Sequence, residues 1–121
     1  MLVIIPGELC DLNTFINSQR TNKYKGAALK KKETEKCAAA FMPHRTKTLQ
    51  FPLTLKVTWF CKDKRKDKDN IRFGIKFIQD GMISAGLIKN DGWSEIEGYR
   101  DAFKIDKENP RIEIEVLEHA N

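Results

Sequence analysis

The sequence predicts a small α+β domain, with a mixed or antiparallel sheet and two main helices, on three observations. Phe51, Leu53, Leu55, Val57, Trp59 and Cys61 fall on alternate positions, the period of a strand with one buried face. Ile71, Ile75, Ile78 and Met82 recur at spacings of three and four, the period of an amphipathic helix. Apolar segments close both ends, Met1 to Pro6 and the alternating Ile112, Ile114 and Val116. With 121 residues, no internal repeat and no low-complexity linker, the chain reads as one domain over residues 1–121.

Taken in order, the first strand ends at Pro6-Gly7. Residues 8–25 carry no clear period and are rich in Asn, Thr and Lys, which predicts an extended, mobile arm. Residues 26–42 favour helix, with Ala, Leu, Lys and Glu dominant and Pro43 as the stop. Leu29, Cys37, Ala40 and Phe41 form its expected buried stripe. The strand over residues 51–61 follows, with Pro52 near its start, where a missing N–H is tolerated. A charged run over residues 62–69 leads into the amphipathic helix, and Gly86 supplies its C-terminal stop. Asp91-Gly92 marks a turn, residues 93–105 read as a strand, residues 106–110 as a turn, and residues 112–116 as the last strand.

Composition narrows the function. No run of about 18 apolar residues is present, so no membrane span is expected. The first six residues are too short for a signal peptide and lack its basic flank. Cys10, Cys37 and Cys61 are widely spaced without a CxxC pair, and only His44 and His119 could add imidazole. Zinc is therefore not expected, and reduced, buried thiols are. A net charge of +5 points toward a polyanionic partner. Lys23, Lys25, Lys30, Lys31, Lys32 and Lys36 crowd one region, and Lys62, Lys64, Arg65, Lys66 and Lys68 another. Arg20, Lys23, Lys25, Lys30, Lys31, Lys32, Arg65, Lys66, Lys68 and Arg72 are the candidate phosphate contacts.

The chemistry-bearing stretch is Asp67-Lys-Asp69-Asn70, followed by Lys76, Asp80 and Asp91. Asp67 and Asp69 stand where a loop enters a helix, so both side chains can converge on one point. Asp69, Arg72, Lys76 and Asp80 then follow at helical steps, a polar stripe whose ion pairs are worth only tenths of a kcal/mol to the helix. A hard cation such as Mg²⁺ needs one or two protein carboxylates plus substrate phosphate. It can polarise a scissile phosphate, lower the pKa of a bound water and stabilise the leaving oxygen. A nearby lysine could meet the developing charge, and a helix start favours phosphate. The bland reading stands beside this one: Asp69 or Asn70 is an ordinary helix N-cap, and alternating Lys and Asp is a solvated loop.

The run Asp67-x-Asp69-Asn70-Ile71, then Lys76-x-x-x-Asp80-x-Met82, Ala85-Gly86 and Asn90-Asp91, resembles the signature of the RusA family of Holliday junction resolvases. Fainter similarity extends to the N-terminal strand, the turn leading to Leu12-Asn13, the basic helix and the final strand. The resemblance implies that Asp67, Asp69 and Asp91 are metal-binding carboxylates and that Lys76 is a catalytic lysine. Asp80 matches a recurrent acidic position that joins the candidate ligands. The chain departs from the family pattern by three extra residues between Asn70 and Lys76. Three residues are close to one helical turn, so Lys76 would keep its face but move along the axis, with Arg72 as the alternative cation.

The same resemblance implies a homodimer acting on four-way DNA junctions, with Mg²⁺ as cofactor. It also implies a bacterial cytoplasm, with a phage or prophage gene as one source. Paired cuts related by a two-fold axis need two sites, which a C2 dimer supplies. The rival class is a nucleic-acid-binding module without a working metal site, and a third is a structural or packaging protein. Trp59 is expected in the core. Trp93 and Tyr99 could serve the sheet, DNA or a partner. Phe73 and Phe77 could serve a dimer interface or simply widen the core face, and His44 is expected in a loop.

Overall fold

The computed structural model describes residues 1–120. In chain order the elements are β1 (Leu2–Pro6), α1 (Leu12–Thr21), α2 (Lys23–Phe41), a 3₁₀ turn (Met42–His44) and β2 (Leu53–Cys61). Then come α3 (Lys68–Arg72), α4 (Ile75–Ser84), β3 (Ile96–Ile105) and β4 (Arg111–Leu117). The four strands form one mixed sheet in the order β1-β4-β2-β3. β4 runs antiparallel to both β1 and β2, while β2 and β3 are parallel. The α+β class and the mixed sheet are as the sequence predicts.

The helices cover one face of the sheet. Ile5, Leu55, Val57, Trp59 and Ile114 on the strands meet Cys37, Phe41, Phe77, Ile78 and Met82 on the helices, all buried. The strand residues in between point to the opposite, open face, where Lys56 and Glu115 lie 3.9 Å apart on paired strands. α4 ends as its sequence suggests. Gly86 takes φ +82°, its N–H bonds the Ile83 carbonyl, and the Leu87 N–H bonds the Met82 carbonyl. That double closure is a Schellman motif, and the positive φ favours glycine there.

Two expectations need correction. Residues 8–25 are not an arm. Asp11 caps α1 by accepting the Thr14 N–H at 2.8 Å, and Asn22 caps α2 by accepting the Tyr24 N–H at 2.7 Å. α1 lacks a visible period because its buried side chains are only Phe15 and Ser18. Among the described residues α1 thus joins α2 and α4 as a third helix of ten residues or more. The helix expected from residue 71 onward is also broken, into α3 and α4, at Phe73-Gly74. Ile71 and Ile75 are consequently half-buried, while Phe77 joins Ile78 and Met82 in the core. Of the two readings for Phe73 and Phe77, the wide core face holds for Phe77, which is fully buried, and Phe73 is half-buried, their rings 5.9 and 5.3 Å from that of Phe15 on α1.

Trp59 is buried, as expected, and the indole of Trp93 is 98 % exposed. β3 begins at Ile96 rather than at residue 93. All three cysteines are free thiols, two of them buried and Cys10 partly so. Burial pushes the Cys37 thiol up to about 12 and the Cys10 thiol up to about 11. No helix among the described residues is long and apolar enough to cross a membrane.

Candidate metal and nucleic-acid site

The loop between β2 and α3 is held by the segment just before and at the start of α1. The Lys62 N–H donates to Glu8 Oε2 at 2.9 Å, and Lys66 Nζ lies 2.9 Å from Asp11 Oδ2. The Asn13 N–H donates to Asn70 Oδ1 at 3.0 Å. Burial alone would raise the Asp11 carboxyl, but hydrogen bonds from Lys66 and Thr14 outweigh it and hold the group below the usual carboxylate range. Its hydrogen bond to Asp11 in turn pushes Lys66 up. Lys66 and Asn70 thus bracket Asp67 and Asp69, and both are anchored to the same helix start.

The two bracketed carboxylates are exposed. Asp67 occupies the N-cap position of α3, yet its side chain makes no capping hydrogen bond. Among the described residues Asp69 accepts only the adjacent Asn70 N–H, at 2.8 Å to Oδ1. Neither Asp69 nor Asn70 is the cap, since Asp67 holds that position, and the exposed run 64–69 agrees with the solvated-loop reading. Asp67 and Asp69 line one open groove, together with Asp63, Lys64, Lys68, Phe103 and Lys104. Carboxylates among lysines make a surface that can take a cation and a phosphate side by side. A hard cation such as Mg²⁺ asks for one or two protein carboxylates plus phosphate oxygens, and Asp67 and Asp69 are the exposed carboxylates here that could supply them.

Asp91 is not with them. β2 and β3 are parallel, and the α3–α4 crossover runs back along them. Asp67 and Asp69 lie at the Cys61 and Ile105 end of these strands. Asp91 lies in the loop before β3, where the Leu53 N–H bonds the Glu95 carbonyl. A nine-residue strand separates the two ends by roughly 25 Å. Among the described residues no group of three or more His, Cys, Asp or Glu could hold a metal ion.

Lys76 and Asp80 lie elsewhere again. They form an i,i+4 ion pair at 3.4 Å on α4. Lys76 lines a cleft with Leu12, Phe15 and Gln19 of α1, and Asp80 faces Lys30, Lys31 and Glu35 of α2. Arg72, by contrast, turns toward β3. Its Nε donates to Asp101 Oδ2 at 2.8 Å, and its guanidinium sits 4.8 Å from the centre of the Tyr99 ring.

The remaining basic candidates divide by their partners. Arg20, Lys23, Lys25, Lys30, Lys31 and Lys32 are exposed on α1 and α2. Lys68 lies over the Phe103 ring at 5.8 Å, on the wall of the aspartate groove. Arg65 is exposed beside Asp63 at 3.6 Å. Lys66 is committed to Asp11, and Lys36 to Glu33 at 3.5 Å and to the Glu8 carbonyl at 3.1 Å.

Sequence reasoning missed Asp101, whose other oxygen accepts the indole N–H of Trp59 at 2.8 Å. One signal was present: Asp101 alternates with Tyr99 and Phe103, so a carboxylate falls on the helix-covered side of a strand. Asp11 and Asn13 were missed with α1 itself.

The family model for endodeoxyribonuclease RusA matches residues 12–117. No curated protein matches the chain.

Proposed function

The chain belongs to the RusA endodeoxyribonuclease family, and from that premise we propose a Mg²⁺-dependent endonuclease that resolves four-way DNA junctions, as a homodimer, in DNA recombination or repair. The observation that carries this reading is the Asp67–Asp69 pair, exposed, free of capping duties and set among lysines. Asp67 and Asp69 would hold the ion, whose chemistry when bound is charge neutralisation at the scissile phosphate and a lowered pKa for water. Lys64, Lys68 and Lys104 line the same groove and would hold the DNA backbone there. The exposed lysines of α1 and α2 would extend that hold, giving affinity that falls steeply with salt.

The position of Asp91 bears on the dimer. If Asp91 joins the ligands, it must come from a second copy, because within one chain it stands at the other end of the sheet. A C2 dimer that brought each Asp91 to the other protomer's aspartate pair would give two sites related as the two strands of a junction are. Mixing two inactive variants tests this. A heterodimer of Asp69→Asn with Asp91→Asn leaves one intact site and regains single nicks, whereas ligands confined to one chain leave both sites dead.

The primary experiment incubates a labelled four-way junction and a matched linear duplex with the protein, in Mg²⁺ or EDTA. Paired nicks confined to the junction, lost in EDTA and in Asp69→Asn, are the expected result. The separation of Asp91 from the pair favours one rival, a binding module with no working metal site. In that case no divalent metal elicits cutting, and removing Asp67, Asp69 or Asp91 leaves junction affinity unchanged or raised.

A further inference from the structure

Resting on the homodimer proposed above, we infer that the second copy binds along the free edge of β3, antiparallel to the first copy's β3, so that two four-stranded sheets join into one. The sheet has two free edges, and they differ. β1 is five residues long and ends on Pro6, which has no N–H to offer. β3 is ten residues long and contains no proline. Its inner side pairs with β2, and just past its end the Asp106 N–H reaches the Cys61 carbonyl at 2.8 Å. Backbone groups alternate in direction along a strand, so Tyr99, Asp101, Phe103 and Ile105 send theirs outward. Among the described residues no hydrogen bond reaches these outward groups. A long edge of this kind is a template for a further strand.

A two-fold axis makes a strand meet itself reversed, so the edge has to complement its own inverse. The charges of β3 are arranged that way. Glu95 and Glu97 stand at its start, and Lys104 and Lys107 at its far end. Asp106 lies among those lysines but is already engaged by Arg111 at 2.8 Å. Antiparallel pairing centred on Asp101 sets Glu97 diagonal to the partner's Lys104, once on each side of the axis. Asp101 itself keeps its charge matched by Arg72 of its own chain at 2.8 Å. An ammonium has three donors, so Lys104 can meet the partner's Glu97 and a groove phosphate together.

Apolar side chains lie along the same edge. Tyr99 and Ile105 are 41 and 46 % exposed, and Trp93, just before the strand, stands open to solvent. The pairing sets Tyr99 opposite the partner's Phe103 and carries Trp93 past the partner's Ile105. The open sheet face offers a second copy less, because its charges are spent within the chain: Lys56 on Glu115, and Arg111 on Glu113. Because the pairing is antiparallel, it also brings the loop before one β3, with its Asp91, to the end where the other copy's Asp67 and Asp69 stand.

The test is sedimentation of the full chain across a micromolar dilution series, without DNA and without divalent metal. Wild type is compared with Glu97→Lys, Lys104→Glu and the double variant carrying both changes, each checked for folding by circular dichroism. Either single change sets like charges across the edge at two symmetry-related points, and should raise the dimer dissociation constant about tenfold or more. The double variant restores opposite charges and should return to within about threefold of wild type. Within one chain the two positions are separated by roughly 23 Å of strand, so a rescue can arise only across two copies. A wild type that stays monomeric overturns the inference and leaves the edge charges the task of keeping strands apart. Single variants that associate as the wild type does, or a double variant as weak as the singles, overturn it too, by placing the interface elsewhere. A dimer with charge-swap rescue that cuts no junction keeps this inference and overturns the nuclease reading alone.

Discussion

Lys66 Nζ stands 2.9 Å from Asp11 Oδ2, joining the residue before Asp67 to the cap of α1. The pair is asymmetric: the side chain of Asp11 is 8 % exposed and that of Lys66 is 40 % exposed. Asp11→Ala removes both this ion pair and the cap on Thr14, and should cost about 2 kcal/mol. Lys66→Ala should cost about 1 kcal/mol, since solvent screens its half of the pair. Urea unfolding midpoints measure both. A larger loss at Lys66 than at Asp11 would mean that the loop, not the helix cap, is what the pair stabilises.

The same pair has a pH signature. The Asp11 carboxyl lies below its unfolded value, so its contribution is present above about pH 4 and disappears as pH falls through the lowered folded value. Lys66 is raised, so its contribution is present below about pH 10 and disappears as pH climbs past the raised value. The stability gap between wild type and Asp11→Asn should therefore be flat from pH 7 to 5 and close below pH 4. A gap that persists unchanged at pH 3 would show that the charge on Asp11 is not what matters.

Where α2 crosses α4 there is no room for a side chain at Gly81. A Cβ there would lie 2.5 Å from Cys37 Cβ and 2.8 Å from the Ala38 backbone nitrogen. Intrinsic propensity favours Gly81→Ala by about 1 kcal/mol in a helix, while overpacking costs about 1–3 kcal/mol or more. The backbone clash should decide the sign, and Gly81→Ala should melt lower by about 5 °C or more. Cys37→Ala would not relieve the clash with Ala38. A variant melting above wild type would show that the two helices separate freely.

How much of this was legible depends on what each residue answers to. β2 and β4 declared themselves because one buried face forces alternation on every second residue. The Asp67-x-Asp69-Asn70 junction stood out in the sequence as two carboxylates at a helix start, and the structure leaves both exposed there. α1 was not, because two buried side chains carry it and its partners, Phe73 and Phe77, lie far along the chain. The separation of Asp91 from Asp67 was hidden for a topological reason. Periodicity finds a strand on each side of a crossover but does not tell whether the strands run parallel, and that alone sets which loops share an end. Arg72 and Asp101 are 29 residues apart, and no local pattern joins them.

The lysines of α2 are not equivalent, and that separates binding from folding. Lys25 and Lys32 are both exposed and seven residues apart, two turns on one face. Lys36, on the same helix, is spent on Glu33 and the Glu8 carbonyl, and it helps hold the segment leading into α1. If α2 lies against DNA, replacing Lys25 and Lys32 together by Gln should flatten the log-affinity against log-salt plot by nearly two units. Each phosphate left unneutralised on a duplex takes about 0.9 from that slope, so the pair accounts for about 1.8, well outside the scatter of a salt titration. Thermal stability should hardly change, since both side chains are open to solvent. Lys36→Gln should do the reverse, lowering the melting temperature while leaving the slope intact. A slope that moves with none of these lysines would place the nucleic-acid surface away from α2 and leave the aspartate groove, with Lys64, Lys68 and Lys104, to hold the junction alone.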